Sequence, residues 1–257
     1  MYNSEQLEKI FTRLGMTYDK NARPDGALAA AVQHGMVTHV PYENLDIIHG
    51  IPLSLEYGDL YDKIVLRRRG GYCFELNGFL GELLRSLGYK ITEYMARYLR
   101  GEIGTPVRRH RVIRAVDADG VPWICDAGIG QPSFRIPLVM EEGYVSEQYG
   151  ETYKVGKEPF LGWVIYDLHD GEWRKFYSFT EEEQLNIDYI MPSYWCENAP
   201  GSPFTLSPIL GIKTDTGRYT VDGCVFRIFD GDKVEEREIS EDERSEIYKK
   251  YFGLDFI

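Results

Sequence analysis

Cysteine is scarce in this 257-residue chain, and the four present, Cys73, Cys125, Cys196 and Cys224, stand far apart. That spacing gives neither a CxxC-type zinc site nor the disulfide framework of a small secreted domain, so no metal is expected and each thiol is judged alone. Long apolar runs are missing too. Nothing approaches the ~18 consecutive apolar residues of a membrane span, and the opening MYNSEQLEKIF lacks both a basic stretch and an apolar run behind it. The expectation is a cytoplasmic protein. Basic residues are in deficit, 29 Lys and Arg against 41 Asp and Glu, for a net charge of −12. This argues against nucleic acid or an anionic membrane as partner, since both reward a basic face. Repeats and low-complexity segments are absent, and 43% hydrophobic content is enough for a packed core.

The basic charge that exists is clustered. Between Lys63 and Arg114 there are twelve Lys and Arg against four Asp and Glu, a local +8 that leaves −20 for the rest. Such an island suits a compact ligand carrying phosphates or carboxylates; solvated surface charges or structural ion pairs explain it equally well.

The first third reads as helical. Leu7, Ile10, Phe11 and Leu14 share one helical face, an Ala-rich run follows from Asp25 to His39, and the chain breaks at Val40-Pro41. A third helix from about Asp59 buries Leu60, Ile64 and Val65 until Gly70-Gly71 stops it, and a fourth spans Cys73 to Leu87 with Gly88 as its cap. From Tyr89 onward β-branched and aromatic residues alternate between the turn dipeptides Asp119-Gly120, Asp170-Gly171, Asp222-Gly223 and Asp230-Gly231, which marks antiparallel hairpins. Capping-box spacing predicts helices from Thr180, with Glu183, and from Ser240, with Glu243. The whole is α+β, divided as a helical part over 1–88, a β-rich part over 89–179, a connecting helix or linker over 180–202 and an α/β part over 203–257.

Cys73 opens a predicted helix, where unpaired N–H groups and the positive end of the dipole favour a thiolate. Arg67, Arg68 and Arg69 stand close in sequence, and Gly70-Gly71 would let backbone approach a substrate. An inert buried thiol is the alternative; Cys125, Cys196 and Cys224 are read that way. Of five histidines, His110 starts a strand whose hairpin partner ends in Asp126, and with the turn centred on Ala118 the two stand opposite each other. That is the arrangement of a base and its orienting carboxylate, although Asp126 as a turn residue beside a surface His110 fits the spacing as well.

The string Arg69-Gly70-Gly71-Tyr72-Cys73-Phe74-Glu75 with Asn77 resembles the nucleophile motif of the arylamine N-acetyltransferases. Pro41-Tyr42-Glu43-Asn44-Leu45, Cys125-Asp126-Ala127-Gly128-Ile129-Gly130 and Pro200-Gly201-Ser202-Pro203-Phe204 are similar to further motifs of that family, in matching order over most of the chain. The resemblance implies a helical domain, a β-barrel and an α/β lid, and a Cys73-His110-Asp126 triad. It implies acetyl-coenzyme A as co-substrate with no permanently bound cofactor, and an arylamine acceptor; the oligomeric state stays open. It further implies that Tyr42, Phe74, Ile129 and Phe204 line the acyl or acceptor pocket, that Val107, Trp195 and Gly201 lie near the coenzyme, and that Gly128 and Gly130 open the cleft for the pantetheine arm. Core packing for the aromatics and a simple turn for the glycines are the alternatives. Tyr42 stands where the family usually has Phe, and Arg109 where Thr is frequent, which directs attention to acceptor choice. A C-terminal lid ending in Phe252, Leu254, Phe256 and Ile257 would exclude water. Rival readings are a transglutaminase-like thiol hydrolase, an amide synthase of the same superfamily fed by a carrier protein, and a non-catalytic binding domain.

Overall fold

The computed structural model describes residues 1–130 and 132–255. Helix α1 (Ser4–Arg13) is capped by Asn3, and α2 (Gly26–His39) by Asp25, whose carboxylate accepts the Leu28 N–H at 2.9 Å. A two-residue strand, β1 (Tyr42–Glu43), and a short helix, α3 (Leu45–Ile48), lead to α4 (Tyr57–Tyr61), which continues into a π-helical turn over Asp62–Leu66. Helix α5 (Cys73–Ser86) is buried along almost its whole length. Its apolar residues Leu76, Phe79, Leu80, Leu83 and Leu84 share one core with residues of α1, α2 and α4 and with Ile113 and Ala115 of the following sheet.

That sheet contains β2 (Lys90–Tyr98), β3 (His110–Val116), β4 (Pro122–Cys125), β5 (Leu138–Val139), β6 (Val145–Gln148), β7 (Glu151–Glu158), β8 (Gly162–His169) and β9 (Glu172–Glu183). The eight strands are antiparallel in the order β5-β4-β3-β2-β9-β8-β7-β6 and curl into a nearly closed barrel around Val112, Ile124, Phe134, Val155, Ile165, Phe176 and Phe179. At the seam the Gln148 carboxamide takes the place of a strand partner. It accepts the Ile136 N–H at 2.8 Å and donates to the Ile136 carbonyl at 3.2 Å, which satisfies polar backbone at an otherwise open edge.

After α6 (Ile190–Asn198) come β10 (Ile209–Lys213), β11 (Gly217–Asp222), β12 (Val225–Asp230), β13 (Lys233–Glu238) and α7 (Glu241–Phe252). The second sheet has the order β1-β10-β11-β12-β13, so a strand from the first fifth of the chain forms its edge, with Tyr42 opposite Gly211 and Glu43 opposite Leu210. Helix α7 covers this sheet through Ile247, Tyr248 and Phe252, packed on Leu210, Val221 and Phe226.

The expected elements recur with three differences. The helix predicted from Thr180 does not start there: β9 runs on to Glu183, which pairs with Tyr94 across a bulge. Burial of Phe176, Tyr177 and Phe179 in the barrel wall overrides the local capping-box spacing. The helical turn begins after Leu185, whose N–H bonds the Asp188 carboxylate at 2.7 Å. The third helix starts earlier than predicted, at Tyr57. Finally, β3 and β4 pair with Ile113 opposite Cys125 and Val116 opposite Pro122, so the hairpin is centred on Asp119 rather than Ala118.

Candidate active site

That register matters for His110 and Asp126. The β3–β4 ladder ends at the Ile113–Cys125 pair, so Asp126 lies just past the strand, while His110 pairs with Ala96 of β2. The two still meet: His110 Nε2 and Asp126 Oδ2 are 2.6 Å apart, and both residues are buried. Asp126 is held on every side. Its Oδ1 accepts the Asn77 amide at 2.8 Å and the Gly128 N–H at 3.0 Å, and its own N–H donates to Gln33 Oε1 at 2.9 Å. Asn77, one turn after Cys73 on α5, also donates to the Arg111 carbonyl and accepts the Ala127 N–H at 2.9 Å, which ties the Asp126 loop to the helix that Cys73 opens. With Nε2 engaged by the carboxylate, Nδ1 is the imidazole nitrogen left for chemistry.

Cys73 sits at the start of α5 with its Sγ 3.6 Å from the Arg109 carbonyl oxygen, one residue before His110. Burial pushes its thiol pKa up, with the neighbouring Cys196 and Asp126 adding to the effect and the Phe74 N–H at the helix terminus and Arg109 working against it. The sulfur is therefore a thiol unless a neighbour accepts its proton. Tyr177 packs edge-on against the His110 ring, centroids 5.5 Å apart, and burial followed by the Asp126 charge keeps its phenol un-ionised.

The three arginines before Cys73 do not supply the positive setting that their sequence position suggested. Arg67 pairs with Asp62 at the surface at 2.7 Å. Arg69 is buried and bonds Glu43 at 2.8 Å and Asp46 at 2.9 Å, while buried Lys63 bonds Asp46 at 2.6 Å and Glu75 at 2.7 Å. Glu75 in turn accepts the Tyr72 N–H at 3.1 Å. Lys63 and Arg69 of the basic island thus belong to a structural ion-pair network beneath the turn that precedes Cys73. The glycine pair serves the same packing. A Cβ on Gly70 would lie 1.9 Å from the Pro41 carbonyl oxygen and one on Gly71 would meet the Glu75 side chain at 2.8 Å, so Gly70 admits the β1 segment and Gly71 the Glu75 side chain rather than a substrate.

One cavity of about 460 Å³ opens beside Cys73. Of the residues singled out in the sequence, Tyr42, Cys73, Arg109, His110, Gly128, Ile129, Gly130 and Phe204 line it, with Asp126 behind His110. Phe74 does not; it is fully buried against Tyr72 and Tyr189. Val107, Trp195 and Gly201 are outside the lining and reach solvent. Gly128 is there for a reason other than an open cleft: a Cβ on it would stand 2.8 Å from Cys73 Cα and 2.9 Å from the Cys73 carbonyl oxygen. Gly130 adopts φ +81° beneath the Tyr42 ring. Of the apolar C-terminal residues expected over the cleft, Phe252 and Leu254 are buried beneath the second sheet instead, and Phe256 and Ile257 lie outside the described residues.

Sequence reasoning missed Gln33 and the polar wall formed by Arg100, Glu151, Asp167 and Arg218. For Gln33 the signal was a lone amide in an Ala- and Val-rich helix; for the wall there was none, because its members come from four separate segments.

A family model described as N-acetyltransferase matches residues 26–257. The arylamine N-acetyltransferase of Mycolicibacterium smegmatis is 33% identical over 223 residues, covering 84% of this chain and 80% of the relative. The solved arylamine N-acetyltransferase of Salmonella typhimurium superposes with a TM-score of 0.92 at 25% identity, over 99% of this chain and 93% of that one. The Mycobacterium marinum enzyme, solved in complex with coenzyme A, gives a TM-score of 0.90 at 25% identity over 97% and 93%. These likenesses do not favour a thiol hydrolase or a carrier-fed amide synthase. The chain belongs to the arylamine N-acetyltransferase family.

Proposed function

We propose that this protein carries an acetyl group from acetyl-coenzyme A to an arylamine on Cys73, with His110 as the proton carrier and Asp126 fixing its tautomer. The observation that carries the proposal is the 2.6 Å His110–Asp126 bond at the wall of the cavity that Cys73 also lines. Because burial disfavours a free thiolate, the proton of Cys73 passes to His110, and the sulfur attacks the thioester carbon as half of an ion pair. Asp126 stabilises the imidazolium so formed. The tetrahedral oxyanion is met by first-turn amides of α5, none of which is taken by a side-chain cap. Coenzyme A leaves with the proton from His110. In the second half the amine attacks the acetyl-cysteine, His110 accepts the amine proton, and the Cys73 sulfur departs with the electron pair of the broken C–S bond. Exchanging one thioester for another is nearly balanced, so the first half runs in either direction.

Tyr42, Ile129 and Phe204 supply the apolar acceptor surface. For the coenzyme we propose the solvent-exposed Val107, Trp195 and Gly201, suited to a donor whose nucleotide end stays outside while its thioester reaches Cys73. We divide the chain into parts spanning 1–88, 89–179, 180–202 and 203–257, with the end of β9 (Glu172–Glu183) crossing from the second part into the third, and place the protein in the cytoplasm. Four free cysteines support the latter, and among the described residues no helix is long and apolar enough to cross a membrane.

Intact-mass measurement after mixing with acetyl-coenzyme A, without acceptor, tests the reading. The expected result is one added acetyl group, absent in Cys73→Ser and discharged by an arylamine. An unmodified Cys73 at every donor concentration would sink it.

A further inference from the structure

Around the cavity wall built from β7, β8 and β11, where Arg100, Glu151, Asp167 and Arg218 line the space and Arg135 and Lys213 stand behind Glu151, there is more positive charge than the carboxylates neutralise. Arg135 and Lys213 both bond Glu151, at 2.7 and 2.6 Å, and Arg100 pairs with Asp167. Arg218 completes the group, so four cations share two carboxylates, and of these four Arg218 is the one with no ion pair among the described residues. It lines the cavity half-buried, stacks 3.7 Å from the Phe229 ring centroid, and its Nε is buried without a hydrogen-bond partner. The crowding registers on Lys213: burial first, then Arg135 and Arg218 beside it, push its ammonium down to about 8 despite Glu151. Unneutralised charge withdrawn from water is unfavourable. An anion entering the cavity relieves it.

The anion can be narrowed. The same cavity reaches Cys73 and is apolar at Ile129, Phe204 and Ile209, so its occupant is aromatic or aliphatic in the middle and charged at one end. A guanidinium presents a planar fork that matches a carboxylate, and stacking on Phe229 fixes its plane. We infer that Arg218 determines acceptor specificity, selecting arylamines that carry a carboxylate, with the amine directed to Cys73 and the carboxylate to Arg218. This rests on the acetyl-transfer reading above.

The test compares 4-aminobenzoate with 4-aminobenzamide, a neutral acceptor of the same shape. In a ping-pong reaction kcat/KM for the acceptor reports only the acetyl-enzyme half, so coenzyme binding drops out. The expected result is a preference for the acid of about tenfold or more in the wild type, lost in Arg218→Gln mainly through KM and partly restored in Arg218→Lys. Acetylation of Cys73 in each variant checks that it is folded, and the wild-type ratio needs no variant. A wild-type ratio near one overturns the inference. So does an equal loss for both acceptors in Arg218→Gln, or a loss confined to kcat/KM for acetyl-coenzyme A, which assigns the arginine to the donor. Failure of Cys73 to acetylate at all overturns the underlying reading instead.

Discussion

Replacing Gly128 with Ala probes how tightly Cys73 is registered against the loop that holds Asp126 and, through it, His110. The new Cβ would stand 2.8 Å from Cys73 Cα, 2.9 Å from the Cys73 carbonyl oxygen and 2.9 Å from Asn77 Nδ2. Ordinary carbon contacts begin near 3.4 Å, so α5 and the Asp126 loop must part by 3.4 − 2.8, or ~0.6 Å, taken as a bare separation of the two atoms. Two of the three obstacles are backbone, and the third is the amide bonding Asp126, so no flexible side chain absorbs the shift. Overpacking of this kind costs about 1–3 kcal/mol. For reactivity the displacement is worse, because it moves Cys73 away from the loop that holds Asp126, and a misplacement approaching 1 Å costs on the order of 10²-fold. The assay is release of coenzyme A in a single turnover, with a thermal melt in parallel. The expected outcome is acetylation of Cys73 slowed some ten- to a hundredfold (~10–10²) in a protein that still folds. Acetylation within threefold (roughly 0.7 kcal/mol) of wild type would refute the idea that this close approach sets the geometry.

Asp126→Asn keeps the shape of the side chain but presents an amide to His110 Nε2 and favours the wrong tautomer. The single-turnover rate should fall ~10³–10⁴-fold with an unchanged far-ultraviolet spectrum; a drop below tenfold (about 1.4 kcal/mol) would remove Asp126 from the mechanism. Lys213 gives a pH signature in stability. Its folded pKa of about 8 lies below the ordinary lysine value of 10.5, so between those limits the unfolded chain holds a proton that the folded chain has shed. Stability therefore rises with pH across that window, by about 3 kcal/mol at most. Urea midpoints at about pH 7.5 and about pH 11, one on either side of that window, should show this contribution in the wild type and lose it in Lys213→Met; identical pH dependence in the two proteins would contradict it.

Features governed by near neighbours were legible in the sequence. The buried stripe of α1, the Ser240–Glu243 cap of α7 and the Asp-Gly dipeptides all express preferences a few residues long, and the structure has Ser240 N–H bonded to Glu243 Oε2 at 2.9 Å and Asp170-Gly171 joining β8 to β9. What failed was local signal outweighed by distant burial, as at Thr180, where Phe179 on one side and the Tyr94–Glu183 pairing on the other keep the chain extended. Charge next to Cys73 in sequence was a poor guide to charge next to it in space, because Arg69 turns away to Glu43 and Asp46. The approach of His110 to Asp126 was legible although the hairpin register was one residue off in its centre. The 2.6 Å bond forms beyond the ladder, where Gln33 and Asn77 position the loop, and nothing in the spacing announces either contact.

The pairing of β1 with β10 bears on the order in which the molecule is made. Tyr42 faces Gly211, 211 − 42 = 169 positions later, so the loop closed by this contact is among the longest the chain allows, and its entropy must be met before the pairing rewards it. On a ribosome the helices and the barrel emerge while β1 still lacks its partner, with Tyr42 at the edge of an unfinished cavity. The cleft gains its Phe204, Ile209 and Arg218 wall only when the last quarter of the chain arrives. A chain made only as far as α6 therefore leaves Cys73 without this wall, and the cavity beside it is enclosed only once β10 and β11 have joined it.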